Sequence, residues 1–276
     1  MNSEYMQAVV EIARRAGAAI MEVYQSGNTG ETSKEDNSPL TLADLASHRI
    51  IVEALGRLTP DIPVLSEEAA NIPYSERCQW SRFWLVDPLD GTKEFIKRNG
   101  EFTVNIALIE KGEPVLGVVY APVLDVCYFG TKESGASMQR NNSAAQRISA
   151  LPHASDQPIK VVASRSHSDA RTEGLLNKMG DYQCISMGSS LKLCLVAEGA
   201  AHFYPRLGPT MEWDTAAAHA VVNAAGGIVC NIAGEILSYN KEDLHNPEFL
   251  VMSAADKALF QLATGNLAVG TKNLTS

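Results

Sequence analysis

The sequence lacks an excess of positive charge, which argues against one large class of functions. Its 276 residues carry 23 Lys and Arg against 32 Asp and Glu, for a net charge of −9. A protein that binds mainly the backbone of nucleic acids needs a basic face, so we expect no nucleic-acid partner. An anionic small molecule fits this balance where bound cations or nearby Lys and Arg reverse the local field.

Cysteine is scarce and lacks a pairing pattern. No C-x-x-C pair occurs among the five scattered residues, which are Cys78, Cys127, Cys184, Cys194 and Cys230. Neither a disulfide framework nor a zinc site is therefore predicted. Small buried thiols in a reducing cytoplasm are the expected state, and peripheral association with the inner membrane is left open.

The sequence also lacks the features of a leader peptide and of a membrane span. Acidic residues come early in the chain, and no unbroken apolar core precedes a small-residue cleavage site, so no signal peptide is expected. Residues 215–234 have spanning length and no charged side chain, but His219, Asn223, Asn231 and three glycines interrupt them. They predict an Ala-rich helix, a turn and a strand, so no transmembrane segment is expected.

The length and the 45% hydrophobic content predict one globular domain over residues 1–276. Within it we expect two lobes, at about residues 1–131 and 159–262, joined by the polar and weakly patterned segment 132–158. The Gly/Thr/Asn-rich tail, residues 263–276, is expected to be frayed. The oligomeric state is not predicted.

Periodicity predicts sheets layered with helices, that is, an α/β (α+β) fold. Residues 3–24 and 42–58 have helical spacing, and Thr41-x-x-Asp44 resembles a capping box. Short β-rich runs up to residue 130 have short connections, which indicate an antiparallel meander. In the first half, strands are predicted at 63–66, 83–86, 102–109, 115–121 and 125–130. In the second half, strands alternate with helices: the strands are predicted at 159–164, 182–186, 201–204 and 249–252, and the helices near 169–179, 190–198 and 213–225.

The segment Asp87-Pro88-Leu89-Asp90-Gly91-Thr92 carries the most informative chemistry. A hydrophobic strand ends in two carboxylates, Pro88 fixes φ between them, and Gly91 permits a sharp turn. Such a corner can aim both carboxylates, the Leu89 carbonyl and the Thr92 hydroxyl at one point. These are the hard oxygen ligands that Mg²⁺ takes, although an ordinary Asp-rich turn explains the string equally well by itself.

Two further acidic segments favour a metal site over that ordinary turn. Glu67-Glu68 follows a short apolar strand, and Asp214 opens a predicted helix. Alone, the first would be a solvated acidic turn and the second an N-cap. If the carboxylates converge they repel one another, and two or three divalent ions would relieve the repulsion. Paired metal ions serve phosphoryl chemistry.

Three competing phosphate motifs can be compared directly with the sequence. No G-x-x-x-x-G-K followed by Ser or Thr occurs, and no G-x-G-x-x-G follows a strand. Phosphatases with an aspartyl-phosphate intermediate carry D-x-D-G-T, which would place the nucleophile at Pro88. Pro88 has no carboxylate, so covalent catalysis through this motif is excluded.

Together the three segments resemble the inositol-monophosphatase superfamily of Mg²⁺-dependent, lithium-sensitive phosphatases. The resemblance is carried by Asp87-Pro88-Leu89-Asp90-Gly91-Thr92, by Glu67-Glu68 and by Trp213-Asp214 with the later Ala225-Gly226-Gly227. Lys93-Glu94-Phe95, Gly188-Ser189-Ser190-Leu191-Lys192 and residues 36–44 are similar to the 3′(2′),5′-bisphosphate nucleotidase branch. The resemblance covers about residues 5–252 and is weak over 132–158.

This resemblance implies a layered αβαβα fold and hydrolysis of 3′-phosphoadenosine 5′-phosphate to AMP and phosphate. Two Mg²⁺ ions, with a third that is weaker, would be bound by Glu67, Asp87, Asp90, Asp214 and the Leu89 carbonyl. Asp44 and Thr92 would orient the attacking water, with Glu67 at the same catalytic centre. The implied substrate-binding residues are Glu67, Leu89, Asp90, Gly91, Thr92, Ser189, Ser190, Lys192, Arg206 and Asp214.

The residues beside the metal segments fit the second half of a bisphosphate nucleotide. Gly188-Ser189-Ser190 at a helix start offers backbone N–H groups to a phosphate, and Lys192, Arg206 and the 164–167 turn add positive charge and hydrogen bonds. An inositol or sugar phosphatase with the same metal site is the alternative function. A non-catalytic nucleotide-binding homologue is the alternative class. Lys93-Glu94 favours the nucleotide over the first of these.

Overall fold

Two β-sheets alternate with layers of helices in the computed structural model, which describes residues 4–33, 39–141, 143–154, 156–163 and 170–272. Its helices are α1 (Met6–Ser26), α2 (Leu42–Leu58), α3 (Tyr74–Arg77), α4 (Thr92–Ile96), α5 (Ala170–Lys178), α6 (Leu191–Ala197), α7 (Glu212–Ala224) and α8 (Lys257–Lys272). Its strands are β1 (Thr32–Ser33), β2 (Pro39–Leu40), β3 (Val64–Ser66), β4 (Arg82–Asp90), β5 (Thr103–Glu110), β6 (Glu113–Ala121), β7 (Val126–Thr131), β8 (Gly135–Arg140), β9 (Gln146–Arg147), β10 (Ile159–Ala163), β11 (Tyr182–Ser186), β12 (Phe203–Arg206), β13 (Gly227–Asn231) and β14 (Phe249–Ser253).

The larger sheet contains strands β3 to β9 in chain order. The first pair, β3 and β4, is parallel, and every later neighbour is antiparallel. This confirms the predicted meander. The smaller sheet has the order β11-β10-β12-β14-β13, in which β10 runs parallel to β11 and β12 while β14 is antiparallel to its neighbours. Strands β1 and β2 form a separate antiparallel pair.

The helices bury one face of each sheet against the next layer. Helices α1 and α2 pack on the outer face of the larger sheet, where Ile20 and Ile51 meet strand residues such as Val104. Helices α6 and α7 lie between the two sheets. Helices α5 and α8 cover the outer face of the smaller sheet through residues such as Leu176 and Leu259. The order αβαβα is therefore confirmed.

The weakly patterned segment 132–158 is more regular than the sequence predicts. It contains β8 and β9, and β8 pairs with β7 from Val126↔Arg140 to Thr131↔Gly135. In β8 the side chain of Ala136 is buried and that of Arg140 is exposed. No strand was predicted here, because strands close to a sheet edge bury few side chains and keep a polar composition.

The tail that we expected to be frayed begins inside α8, whose backbone continues to Lys272. The carboxylate of Asp256 accepts the Leu259 N–H at 3.0 Å and caps the helix. Leu259 and Ala263, four residues apart, are both buried against the smaller sheet. Residues 273–276 lie outside the described part of the chain. Across the described helices, none combines the length and the apolar character needed to cross a bilayer.

Candidate active site

The Asp87–Thr92 segment forms a corner between β4 and α4. Strand β4 continues past residue 86, where we expected it to stop, because Asp90 pairs with Thr103 beyond a shift in register after Asp87. Gly91, at φ 92°, then turns the chain into α4. The corner is fixed by the Leu89 N–H, which donates to Asp87 Oδ1 at 3.0 Å.

Asp44 lies beside this corner and caps α2; the capping box predicted the cap, and the resemblance implied the place beside Thr92. Thr41 donates both its N–H and its hydroxyl to Asp44 Oδ2, at 2.7 Å and 2.6 Å, and so begins α2. The other carboxylate oxygen, Oδ1, accepts the Thr92 hydroxyl at 3.3 Å. Ser47, one turn further along α2, donates to the Pro88 carbonyl at 2.7 Å and attaches the helix to the corner. Asp44 is thus both a helix cap and a neighbour of Thr92.

Glu67 reaches the same place from β3, which is parallel to β4 with Ser66 opposite Val86. It begins a short 3₁₀ turn at the end of that strand and is hydrogen-bonded to Asp87. Burial raises the pKa of the Asp87 carboxyl well above its usual range, and the charges of Glu67, Asp90 and Asp214 raise it further. Four acidic residues from three distant segments therefore face one another.

Asp214 joins them from the first turn of α7. Its Oδ2 accepts the Met211 N–H at 2.9 Å, so Asp214 is not itself the N-cap that the sequence suggested but caps the helix from its third position, with Met211 as the N-cap residue. Burial raises the pKa of Asp214 to about 8, and the charges of Asp90 and Glu67 contribute in the same direction. The cap and a place among the acidic residues are therefore compatible.

The donor set of this cluster fits a divalent cation. Carboxylates and a backbone carbonyl are hard oxygen ligands, the type that Mg²⁺ prefers. Within the described ranges, no three acidic, His or Cys side chains enclose a common point as they stand. The carboxylates of Asp87, Asp90 and Asp214 nevertheless lie near enough to raise one another's pKa. A cation bound between them would remove this repulsion.

Asp90 is held by a buried polar network that sequence reasoning missed. The Ser190 N–H donates to Asp90 Oδ2 at 2.5 Å, and the Asn105 amide approaches the same oxygen at 3.4 Å. The Ser190 hydroxyl donates to Asn105 Oδ1 at 2.8 Å and lies 2.8 Å from the Thr103 hydroxyl. The available signal was Thr103 and Asn105, two polar residues at alternate positions in an otherwise apolar strand.

The start of α6 differs from the predicted phosphate site. The polar groups of Ser190 are engaged by Asp90, Asn105 and Thr103, so they support the carboxylate. Lys192 is only 8% exposed and donates to the Ser189 carbonyl at 2.6 Å, which fixes its ammonium beside the cluster. Burial lowers the pKa of Lys192 to about 8, although the charge of Asp90 opposes this shift.

One cavity is lined both by metal-ligand candidates and by residues predicted to bind the nucleotide. Its lining includes the metal-ligand candidates Asp90 and Asp214 together with Ser189, Lys192 and Arg206. Gly91 and Ser190 also line it, so seven of the ten predicted substrate-binding residues share this cavity. The Arg206 guanidinium is anchored through Nη2, which donates to the Pro209 carbonyl at 2.9 Å. The cavity therefore places fixed positive charge beside the carboxylates.

Two predicted segments lie outside the described residues. Residues 164–167, with their Arg165 and His167, are not described, and neither are residues 36–38. The assignments for these positions remain sequence-based.

The chain is similar to known proteins over nearly its whole length. The model of the inositol monophosphatase family matches residues 1–266. The 3′(2′),5′-bisphosphate nucleotidase CysQ of Salmonella typhimurium is 52% identical over 248 residues, 89% of this chain and 98% of the relative. The CysQ of Haemophilus influenzae is 37% identical over 256 residues, 91% of this chain and 94% of the relative.

Solved structures agree with these sequence matches. The crystal structure of CysQ from Bacteroides thetaiotaomicron, described as a bacterial member of the inositol monophosphatase family, superimposes with a TM-score of 0.80 at 44% identity. The match covers 93% of this chain and 99% of the Bacteroides thetaiotaomicron chain. The chain belongs to the inositol monophosphatase family.

Proposed function

We propose that this chain is a Mg²⁺-dependent 3′(2′),5′-bisphosphate nucleotidase that converts 3′-phosphoadenosine 5′-phosphate to AMP and phosphate. The observation that carries the proposal is a cavity lined by Asp90 and Asp214 together with Lys192 and Arg206. The carboxylates suit metal ions, and the positively charged side chains of Lys192 and Arg206 suit a substrate with a second phosphate. The names of relatives that are 52% identical over 98% of their length support the same activity.

In this proposal two Mg²⁺ ions, with a weaker third, are held by Glu67, Asp87, Asp90, Asp214 and the Leu89 carbonyl. Bound there, the ions would stabilise charge on the phosphoryl group and lower the pKa of a water molecule. Glu67 and Asp87 share a hydrogen bond, and burial together with the charge of Glu67 raises the pKa of Asp87. The Asp87 carboxyl is buried while Glu67 is partly exposed, so bulk water screens the charge at Asp87 only weakly.

Thr92 and Asp44 are assigned to the orientation of the attacking water. The Thr92 hydroxyl donates its proton to Asp44 Oδ1, so its oxygen is left as an acceptor for a water O–H. Glu67, in the adjoining turn, is assigned to the same catalytic centre. A water held in this way would direct an oxygen lone pair at the phosphorus atom, which is the near-attack geometry that hydrolysis of a phosphate ester requires.

Lys192, Arg206 and Ser189 are assigned to the nucleotide, with Gly91 and Ser190 closing the cavity beside Asp90. Lys192 and Arg206 supply positive charge for the second phosphate. The 5′-phosphosulfate analogue of the substrate carries the same 3′-phosphate, and we propose it as a further substrate. We place the enzyme in the cytoplasm, because the five cysteines are all free thiols.

A direct comparison of substrates tests the proposal. Phosphate release is measured from 3′-phosphoadenosine 5′-phosphate, inositol 1-phosphate and fructose 1,6-bisphosphate under identical conditions with Mg²⁺. We expect the highest kcat/KM for the nucleotide. A preference of more than about tenfold for either sugar substrate, about 1.4 kcal/mol in the barrier, would overturn the choice of substrate. Tight Mg²⁺-dependent nucleotide binding without phosphate release would instead indicate a non-catalytic homologue.

A further inference from the structure

A buried network begins two residues before Asp214 and contains none of the proposed metal ligands. Glu212, the first residue of α7, has a side chain that is 0% exposed. Its carboxylate accepts the backbone N–H of Asn240 at 2.7 Å and that of Lys241 at 3.0 Å, and the Lys241 ammonium at 2.5 Å. The loop of residues 240–242 is therefore bound to the start of α7.

The same loop is bound to the segment that carries Glu67. Arg77, at the end of α3, is 3% exposed. Its guanidinium donates to Asn240 Oδ1 at 3.0 Å and to the carbonyls of Lys241 and Glu242 at 3.1 Å and 3.3 Å. In return, the Asn240 amide donates to the Arg77 carbonyl at 2.7 Å. Loop 240–242 thus joins α3 to α7.

The connection between Glu67 and α3 is short and is held at both ends. Arg77 Nε donates to the Ile72 carbonyl at 3.1 Å, and Ile72 packs against the main hydrophobic core. At the Glu67 end, the hydroxyl of Ser66, the last residue of β3, lies 2.9 Å from His48 Nδ1. The 67–72 segment therefore lies between β3 and the Arg77 contacts that also bind loop 240–242.

Charges as deeply buried as those of Glu212 and Arg77 are costly unless they are fully hydrogen-bonded. Each has its partners here and, apart from the Ile72 carbonyl, these lie on a loop that contributes no residue to the lining of the cavity. Oxygen ligands of Mg²⁺ must lie at about 2.0–2.1 Å in near-octahedral geometry, so the separation of the Glu67 and Asp214 segments is critical. Loss of a hydrogen bond to a metal ligand typically changes metal affinity about 10–100-fold, and the Glu212 and Arg77 contacts act one step further from the ligands, so the lower end of this range applies.

We propose that Glu212 and Arg77 are positioning residues which, through loop 240–242, set the separation of Glu67 and Asp214 for metal binding. The inference rests on the proposed function, because it takes Glu67 and Asp214 to be ligands. It assigns a role to residues that touch neither substrate nor metal.

The test measures Mn²⁺ binding by electron paramagnetic resonance without substrate, at a temperature where circular dichroism shows each variant folded. We expect Glu212→Gln and Arg77→Lys each to raise the Kd for Mn²⁺ about tenfold. Glu198→Gln is the matched control, because Glu198 is a carboxylate with an 11% exposed side chain that accepts from Tyr128 at 3.0 Å and from Arg140 at 3.3 Å outside the network. It should lower Tm and leave the Kd within about twofold of wild type.

A double variant shows whether both residues act through one loop. The Kd of Glu212→Gln combined with Arg77→Lys should then be close to that of the weaker-binding single variant, because coupled changes are not additive. Where a buried variant fails to fold, Lys241→Met removes one donor from a half-exposed position and should still raise the Kd. Folded variants with a Kd within about threefold of wild type overturn the inference alone. Failure of wild type to bind Mn²⁺ overturns the proposed function and this inference with it.

Discussion

The hydroxyl oxygen of Thr92 lies 3.3 Å from Asp44 Oδ1, although 48 positions separate the two residues in the chain. The second carboxylate oxygen of Asp44 accepts two hydrogen bonds from Thr41 and caps α2. A carboxylate that is fixed at one oxygen by its own helix keeps the other oxygen aimed at Thr92. The cap therefore preorganises the pair that we assign to the attacking water.

Thr92→Ala should lower kcat while the affinity for Mg²⁺ changes little. The change removes the hydroxyl that accepts from water but no carboxylate, so about a 10²-fold loss is expected in the proton-handling step. Steady-state kinetics at saturating Mg²⁺, together with Mn²⁺ binding, measure the two effects separately. Thr92→Ser keeps the hydroxyl and should retain most of the activity. An alanine variant with wild-type kcat would remove Thr92 from the water-orienting role.

Asp90→Asn should raise the Mg²⁺ requirement as well as lower turnover. The amide keeps the shape of the carboxylate but loses the charge that a metal ligand supplies. The loss of one such electrostatic interaction typically lowers kcat about 10²–10³-fold. Activity is titrated against Mg²⁺ from micromolar to tens of millimolar. If the variant works like wild type at low Mg²⁺, Asp90 is not a metal ligand.

The parts of this site that sequence reasoning predicted are those with a local signal. The Thr41–Asp44 capping box and the corner at Asp87–Thr92 each lie within six consecutive residues and use residue types with strong turn or cap preferences. Helix α2 is bounded by Leu42 and Leu58, as its periodicity predicts. The αβαβα order followed from the resemblance to a known family.

The missed parts depend on contacts between distant residues. Ser190 reaches Asn105 across 85 positions, and Arg77 reaches Asn240 across 163. The polar residues at alternate positions of β5 mark Asn105 as unusual, but no periodicity or motif indicates the distant partner in either pair, because the pairing is set by how the two sheets and α7 pack. Strand β8 was missed for a related reason, since a polar strand near the sheet edge lacks the apolar alternation on which strand prediction depends.

Lys192→Met should raise KM for the nucleotide more than it lowers kcat. Methionine keeps much of the buried stem but removes the ammonium that lies beside Ser189 and lines the cavity. We expect KM for 3′-phosphoadenosine 5′-phosphate to rise about tenfold, the equivalent of one charge-assisted hydrogen bond. The matched substrate is 3′-AMP, which lacks the second phosphate and should be affected less. Equal losses for both substrates would place Lys192 at the scissile phosphate instead.

Gly117→Ala should destabilise the fold and shift the helix that carries Asp214. A Cβ at this position in β6 would lie 2.0 Å from the Ala217 carbonyl oxygen of α7, and no side-chain rotation relieves a clash with backbone. Overpacking of this kind costs about 1–3 kcal/mol, measured as a change in the free energy of unfolding. Gly56→Ala is the matched control, because nothing lies within 4 Å of its added Cβ on α2. It should stabilise the protein by about 0.5–1 kcal/mol.

Stability without divalent ions should fall as pH rises from about 6.5 to 8. Burial raises the pKa of Asp214 to about 8 in the folded protein, whereas an unfolded Asp titrates near 3.9. Between these values the folded state holds a proton that the unfolded state has lost, so folding becomes less favourable with increasing pH. The raised pKa of Asp87 acts in the same direction.

The window begins at pH 6.5 because His219 acts in the opposite direction below it. Burial lowers the pKa of His219 to about 3, so between that value and about 6.5 the unfolded state binds more protons and stability rises with pH. Tm is measured from pH 6.5 to 8 in EDTA and in Mg²⁺. We expect Tm to fall with pH in EDTA, and the stabilisation by Mg²⁺ to grow over the same range, because ionised carboxylates bind the cation. Asp214→Asn, which cannot ionise, should make the EDTA profile less steep, while the slope contributed by Asp87 remains. A wild-type profile no steeper than that of the variant would contradict a proton-holding Asp214.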